Sequence, residues 1–462
     1  MPQKRDRRSR VRTFFAVCLL AGVGALFALT ARDGPGLSTG APPAHTRSPG
    51  APSSSAFLSL LPEGEAKRKF ILDCTGCHVF DEWIAFPGGE PRSRQSWEEA
   101  TRRMIGFAGA HTPFPVIAAD RDPAATAAWL SAHVTAPPKP ARAEGAVRGR
   151  ITEFPFPEPK DLPHDLMVAP DGNVVITGMM SHRMWVLDPR TGRFSEEPIP
   201  VQRANPRALD LGRDGDWWVL LGGPKQIAHF DPRTRKWKTY DIGMYPHSIQ
   251  RDARGRIWFN GHFTKEPELI GYLDPATGEV RTFPVPNTPE LREGAGPIPY
   301  DLRVAPDGSV WGTELHGNRI FRFDPATERF EAYAMPTPHS GPRRVDFDAR
   351  GNFWIAEYAA NKLARFDPKT REFREYTLPI PDALPYIARV DQKSGMVWIG
   401  TAAADALVGF DPRTEKFTVY ELPTRGALIR HIDVDPRTGD VWAAYGAAPG
   451  IPPRIALLRV GR

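Results

Sequence analysis

Cysteine is scarce in this sequence, whose 462 residues contain three, at positions 18, 74 and 77. So few cysteines exclude a disulfide-rich scaffold and a zinc site built from four cysteines. A strong charge of one sign is also lacking, because 60 Lys and Arg face 54 Asp and Glu, and six of the basic residues lie in the first twelve positions. The rest of the chain is close to neutral, so no basic stripe indicates a nucleic-acid partner.

The segment TFFAVCLLAGVGALFALTA, residues 13–31, carries no charge and follows the basic first twelve residues. This arrangement predicts an export signal. The run is also long enough to stay as a membrane anchor, since a span needs roughly 20 residues. We therefore expect a periplasmic or exported protein that contacts a membrane only through residues 1–31. Residues 32–56 are rich in Pro, Gly, Ser and Ala and predict a flexible linker.

The segment ILDCTGCHVF, residues 71–80, holds the remaining two cysteines with a histidine directly after them. Cys-x-x-Cys-His is typical of covalent c-type haem attachment. A single disulfide is the alternative in an exported protein, whereas zinc would need further ligands and a thioredoxin-like motif would need a βαβ context. The motif predicts one haem c, bound covalently by Cys74 and Cys77, with His78 as an axial ligand of the iron.

Helix signals surround this motif. EAKRKFILDCTGCH is amphipathic, Ser96 is the predicted N-cap of a second helix, and Asp122 followed by Pro123 predicts the start of a third. A proline-rich break at residues 136–147 ends the segment. The sequence therefore predicts a small all-α domain at residues 57–135.

The order of the haem motif, a methionine on a later helix and a closing helix with Trp129 and Leu130 resembles small c-type cytochromes. A methionine thioether as second axial ligand would raise the reduction potential. Met104 is the predicted ligand. His111, His133 and an open position are the alternatives, and an open position would suit ligand binding or peroxide chemistry.

From about residue 160 onward the sequence repeats. Asp-Pro-x-Thr tetrads begin at positions 188, 231, 274, 324, 367 and 411, each after an apolar strand. A period of 40–45 residues with four short strands is typical of a propeller blade. Counting the recurring strands NVVITG, DWWVLL, RIWFNG, SVWGTE, NFWIAE, MVWIGT and DVWAAY gives seven units. GRITEFPFP, residues 149–157, is predicted to complete the last blade. The expected fold is mainly β, a seven-bladed β-propeller at residues 148–462 preceded by the small cytochrome c-like domain.

SVWGTELHGNRIFRFD and NFWIAEYAANKLARFD, like the other blades, resemble the streptogramin B lyase family, also called virginiamycin B lyases. The resemblance covers most of residues 148–460. It implies a seven-bladed propeller and a magnesium-dependent carbon–oxygen lyase site, in which a His opens an inner strand and a Glu ends the next. Here Tyr300 and Arg343 stand fourteen residues before Glu314 and Glu357, and His247 stands fourteen residues before Gly261.

Blade geometry predicts that polar residues meet at one rim of the axial channel. The starts of the first strands are His164, Arg207, His247, Tyr300, Arg343, Tyr386 and either Arg430 or His431. The ends of the second strands are Gly178, Leu221, Gly261, Glu314, Glu357, Thr401 and Tyr445, with His262 and His316 just beyond two of them. Candidate catalytic residues are Glu314, Glu357 and His247, and the two glutamates could share a divalent cation such as Mg²⁺. Alternatively, Glu314 pairs with Arg343 and Glu357 with a neighbouring arginine.

Three functions are consistent with these features. The first is haem electron transfer with a redox partner protein or a small-molecule substrate held by the propeller. The second is a lyase with an accessory haem domain, and the third is a docking module without catalysis. We favour the first, because an elimination moves no electrons and gives a haem no role.

Overall fold

The structure is a computed structural model that describes residues 51–139, 145–212, 214–262, 267–287, 296–446 and 451–461. The described residues belong to one compact unit. Residues 1–31 and most of the predicted linker lie outside them, so the predicted export signal is not described. Within the described residues, no helix has the length and apolar character needed to cross a membrane.

Within the described residues, five α-helices precede the sheets, and a short 3-10 turn separates the third from the fourth. They are α1 (Ser54–Leu58), α2 (Glu65–Cys74), α3 (Glu82–Ala85), α4 (Arg94–Ala108) and α5 (Pro123–His133). The predicted cap of α5 is confirmed, because Asp122 accepts hydrogen bonds from the backbone N–H groups of Ala124 and Ala125. The predicted N-cap of α4 was wrong by about one turn. Ser93 is the N-cap, and its side chain accepts a hydrogen bond from the backbone N–H of Ser96.

Twenty-eight strands follow in the part of the chain that the structure describes. They are β1 (Ile151–Pro155), β2 (Pro163–Val168), β3 (Val174–Gly178), β4 (Arg183–Asp188), β5 (Arg193–Pro198), β6 (Pro206–Leu211), β7 (Trp217–Leu221), β8 (Gln226–Asp231), β9 (Lys236–Asp241), β10 (Pro246–Arg251), β11 (Ile257–Gly261), β12 (Leu269–Leu273), β13 (Val280–Pro284), β14 (Pro299–Val304), β15 (Val310–Glu314), β16 (Arg319–Asp324), β17 (Arg329–Ala334), β18 (Pro342–Phe347), β19 (Phe353–Glu357), β20 (Lys362–Asp367), β21 (Glu372–Thr377), β22 (Pro385–Val390), β23 (Val397–Thr401), β24 (Ala406–Asp411), β25 (Lys416–Glu421), β26 (Ile429–Val434), β27 (Val441–Tyr445) and β28 (Arg454–Leu458).

These strands form seven antiparallel blades of four, as the repeats predict. The first strands of successive blades, from β2 to β26, contact one another, and β26 returns to β2. β1 pairs with β28 along its whole length, from Ile151 opposite Leu458 to Pro155 opposite Arg454. The predicted closing strand is therefore confirmed, and the last blade combines the beginning and the end of the propeller sequence.

The repeated tetrads are turns. In each of the six, the aspartate accepts a hydrogen bond from the backbone N–H two residues later, for example Asp188 from Arg190 and Asp411 from Arg413. An Asp side chain that bonds its own backbone in this way stabilises a turn at little cost. The tetrads need no catalytic role.

Apolar side chains fill the spaces between blades. Trp354 of β19, for example, packs with Leu363 and with Val408 of the next blade, and all three are buried. A larger cluster joins the helical segment to the propeller, because Phe70 and Leu72 of α2 belong to the same buried cluster as Tyr358 and Leu428. The helices therefore share a core with the blades.

Polar contacts reinforce this junction. Lys67 of α2 is 2% exposed and forms an ion pair of 2.7 Å with Asp382, and Ser59 donates a hydrogen bond to the same carboxylate. Gly341 lies so close to α2 that a Cβ atom there would come within 2.4 Å of Leu72. Its φ of +65° also favours glycine. α2 is thus fixed against the propeller next to the start of β18.

Candidate functional site

The first strands bring their polar residues to one end of the axial channel, which we call the channel mouth. Each of six first strands opens with a proline, and the residue after it is the predicted rim residue. These residues are His164, Arg207, His247, Tyr300, Arg343 and Tyr386, and Arg430 takes the equivalent place in β26. Pairing of the strand is interrupted just after the proline, which frees this residue from the regular register.

Histidines and an arginine line one side of the channel mouth. Arg207 donates to Nε2 of His164 over 3.3 Å, and Nδ1 of His247 donates to the carbonyl of Tyr300 over 2.6 Å. The rings of His247 and His262 stack with centroids 4.2 Å apart. Burial and the charge of Arg207 lower the pKa of His164 to about 3, and burial lowers the pKa of His247 well below its usual range. Both imidazoles are therefore neutral at pH 7.

Arg343 occupies the other side, inside a cage of three tyrosines. Its guanidinium carbon lies 3.7 Å from the ring centre of Tyr358, 4.4 Å from that of Tyr386 and 4.8 Å from that of Tyr300. It also donates to the hydroxyl of Tyr300, which contacts the hydroxyl of Tyr386. Burial alone would raise the pKa of Tyr386, but Arg343 and the nearby arginines lower it to about 8.

The Cys-x-x-Cys-His segment, residues 74–78, lies directly on the channel mouth, and we call it the attachment loop. Tyr358 donates to the carbonyl of Thr75 over 2.9 Å, and Arg430 donates to the carbonyl of Cys77 over 3.0 Å. A Cβ atom at Gly76 would lie 3.4 Å from Arg343. Burial raises the pKa of the Cys77 thiol, partly offset by Arg430, Arg343 and Arg207.

The predicted haem ligands lie at element ends or on half-exposed faces. Cys74 ends α2, and it is not joined to Cys77 by a disulfide. Nδ1 of His78 lies 3.0 Å from the carbonyl of Val79. Met104 is half-buried on α4, His111 is exposed in the turn after that helix, and His133 is the last residue of α5, with Nδ1 2.8 Å from the carbonyl of Trp129.

The predicted glutamates are buried away from the channel axis. Glu314 is 0% exposed and accepts a 2.7 Å hydrogen bond from Arg319, so the alternative pairing with Arg343 was wrong. Glu357 is equally buried, and its neighbours include Glu375 and Lys362. Burial raises the pKa of Glu314 to about 7 and that of Glu357 to about 8.

This placement follows from strand geometry. Second-strand side chains point to the two faces of a blade, and therefore into the spaces between blades. Thr313, for example, donates to the carbonyl of Arg343 in the next blade. Among the residues that the structure describes, no three His, Cys, Asp or Glu side chains are close enough to hold a metal ion. The predicted group of Glu314, Glu357 and His247 is thus not assembled there.

The structure also settles one open position and adds two residues. Arg430 lies at the channel mouth, whereas His431 lies deeper, with Nε2 3.1 Å from Arg389. Tyr358 and Tyr245 contact the rim arginines but were not predicted. Tyr358 is the first residue after the end of β19, just as His262 is the first residue after the end of β11. The position directly after a second strand was therefore the signal available in the sequence.

Comparison with known proteins agrees with the fold. The model of the Virginiamycin B lyase family matches residues 292–452. A streptogramin B lyase structure is 25% identical and superimposes with a TM-score of 0.58, covering 67% of this chain and 97% of that one. A catalytically inactive virginiamycin B lyase from Staphylococcus aureus with quinupristin is 21% identical over 67% and 99% of the two chains, with a TM-score of 0.59.

Hydrazine synthase from Kuenenia stuttgartiensis shares the fold, with 16% identity over 66% of this chain and 98% of that one and a TM-score of 0.53. No curated protein matches the chain significantly. The protein thus carries a virginiamycin B lyase-like propeller.

Proposed function

We propose that this chain is an exported c-type haem protein that exchanges electrons with a molecule held at the channel mouth. The observation that carries the proposal is the position of the attachment loop, which Tyr358 and Arg430 hold by hydrogen bonds to Thr75 and Cys77. A haem held there would lie next to the polar residues of the channel mouth. The export rests on the sequence of residues 13–31.

The residues around the attachment loop suit a haem. A metal-ligating histidine usually donates its second ring N–H to a carbonyl, and the contact of His78 Nδ1 with Val79 leaves Nε2 for iron. Cys74 and Cys77 would hold the porphyrin through thioethers. Bound haem supplies one-electron oxidation and reduction of its iron.

The apolar face of α4 supports the same assignment. Trp97 and Thr101 are buried, whereas Met104, Ile105 and Ala108 continue this face at helical spacing and are only half-buried. Such a stripe needs an apolar cover. A porphyrin is a cover of suitable chemistry, and Met104 is the thioether within this stripe.

The test is expression in a host that attaches haem c. We expect a reducible haem spectrum and a mass increase of one haem that survives denaturation. The variant with Cys74→Ala and Cys77→Ala should lose both, whereas the control Cys18→Ala should keep both. A disulfide between Cys74 and Cys77 in protein from this host would overturn the proposal.

A second candidate is a magnesium-dependent, streptogramin B lyase-like activity with the haem as an accessory. It is favoured by the family match over residues 292–452, which contain both Glu314 and Glu357. The arrangement of the site argues against it, because Arg319 holds Glu314, and Gly261 stands where His247 would need a glutamate. Incubation with a streptogramin B and Mg²⁺ decides between them: ring opening would support the lyase, and an unchanged compound would reject it.

A further inference from the structure

Three arginines at the channel mouth carry charges that no carboxylate neutralises among the residues described. Arg207, Arg343 and Arg430 bond to phenol, imidazole or carbonyl groups instead. Deeper in the channel the pattern differs, since Arg344 forms a 2.8 Å ion pair with Asp165. The lack of carboxylate partners is therefore a property of the channel mouth and not of the whole channel.

Burial makes this arrangement costly. Arg343 is 1% exposed and Arg430 is 7% exposed. A charge taken out of water is stable only when opposite charge or several hydrogen bonds compensate it. The tyrosine cage offsets part of the cost through cation–π attraction, but three neutral phenols supply no negative charge. Since the pKa of Tyr386 is about 8, its phenol is largely protonated at pH 7.

Each of the three arginines also has a hydrogen-bond donor that is not used. The Nε atoms of Arg207, Arg343 and Arg430 are buried and have no hydrogen-bond partner among the described residues. A guanidinium donates its strongest hydrogen bonds to a carboxylate or an oxyanion. The partner that these arginines lack is therefore a negatively charged hydrogen-bond acceptor.

We propose that the channel mouth binds a small anion, a carboxylate or an oxyanion, between Arg207, Arg343 and Arg430 beneath the attachment loop. Arg343 and Arg430 both lie against the attachment loop, because Arg430 donates to the carbonyl of Cys77 and a Cβ atom at Gly76 would lie 3.4 Å from Arg343. This inference deepens the proposed function, because it gives the molecule that exchanges electrons a negative charge. The binding itself requires only the propeller rim and the docked loop.

The test is calorimetric titration of the full, haem-loaded protein at pH 7 in a low-chloride buffer, with acetate and inorganic phosphate as probes. We expect saturable binding of at least one probe, weakened by at least about tenfold in Arg343→Gln. Arg207→Gln should weaken binding similarly, so the test survives if one variant fails to fold. The control Arg190→Gln, at an arginine whose side chain is 86% exposed, should bind like the unchanged protein.

Three results overturn the anion site: no binding of either probe, unchanged binding in both mouth variants, or equal weakening in Arg190→Gln. The haem content of the same sample, read from its absorbance, separates this inference from the proposed function. Anion binding by protein without haem sustains the site and rejects the haem. Protein that contains haem but binds neither probe sustains the proposed function and rejects the anion site.

Discussion

Arg343 shows how a single residue connects the parts of this molecule. Its guanidinium contacts three tyrosines from three blades and lies beneath Gly76 of the attachment loop. A lysine would keep the charge but lose the flat surface that stacks on the rings. The flat, charged guanidinium of Arg343 therefore contributes to the packing of the attachment loop against the blades.

The buried carboxyl of Glu357 gives a prediction about pH. Burial raises its pKa to about 8 in the folded protein, above its ordinary value of 4.5. The protonated form is therefore favoured by folding, and stability should fall as pH rises from 4.5 through 8, by at most about 1.4 kcal/mol per pH unit. Glu357→Gln should remove this loss and unfold at a higher temperature than the unchanged protein at pH 8.

Thermal unfolding at pH 5 and pH 8 measures the effect. The control is Glu331→Gln, because the Glu331 side chain is 47% exposed and should tolerate the change at both values. A Glu357→Gln protein that is equally destabilised at both pH values would show that the carboxyl is ionised in the fold.

Met104 gives a second prediction at this scale. As an axial ligand, its thioether should produce the weak near-infrared sulfur–iron band of the oxidised protein, and Met104→Ala should abolish that band and lower the reduction potential. Met180→Ala, at a half-buried methionine of the propeller, is the control. A band retained in Met104→Ala would assign the ligand elsewhere.

At the scale of elements, α2 is the part that joins the helices to the ring. It ends at Cys74 and packs through Leu72 against Gly341, next to the start of β18. Its Lys67–Asp382 ion pair is nearly inaccessible to water, whereas the neighbouring Lys69–Glu65 pair is exposed. The two pairs therefore offer a matched comparison.

Lys67→Met should destabilise the protein by about 3 kcal/mol, because it leaves the carboxylate of Asp382 buried without its cation. Lys69→Met should cost less than about 1 kcal/mol, since surface pairs contribute little. Urea unfolding followed by tryptophan fluorescence measures both. Equal small effects would mean that α2 is not firmly docked.

Most elements of the propeller were predictable, but the direction of the second-strand side chains was not. The proline–polar starts of the strands and the Asp-Pro-x-Thr turns are local patterns, and they identified His164, Arg343 and the other rim residues. Glu314 was misplaced because its side chain bonds to Arg319, the residue opposite it on β16, and does not reach the channel mouth. Docking of the attachment loop on the rim involves residues hundreds of positions apart, which no local pattern contains.

At the scale of the whole molecule, β1 holds the ring closed. Phe154 of this strand stacks on Trp442 of β27, with ring centres 5.9 Å apart, and packs against the cluster between the last and first blades. Without β1, the backbone of β28 would be an open sheet edge. The stability of all seven blades should therefore depend on one short strand.

Phe154→Ala should lower the free energy of unfolding by about 2 kcal/mol, a value reduced from that of a fully buried phenylalanine because Phe154 is only half-buried. Thr152→Ala, at an exposed position of the same strand, is the control. Calorimetry should show one transition that moves as a whole. A separate early transition for one blade would contradict the dependence of the ring on β1.

The pairing of β1 with β28 also has a consequence for biosynthesis. A ribosome releases β1 long before it reaches the final residues, so the first strand has to wait, unpaired, for a neighbour that is translated last. A prematurely terminated product can never finish its ring, however many blades it contains. Such a product keeps a ragged edge that a quality-control protease can recognise.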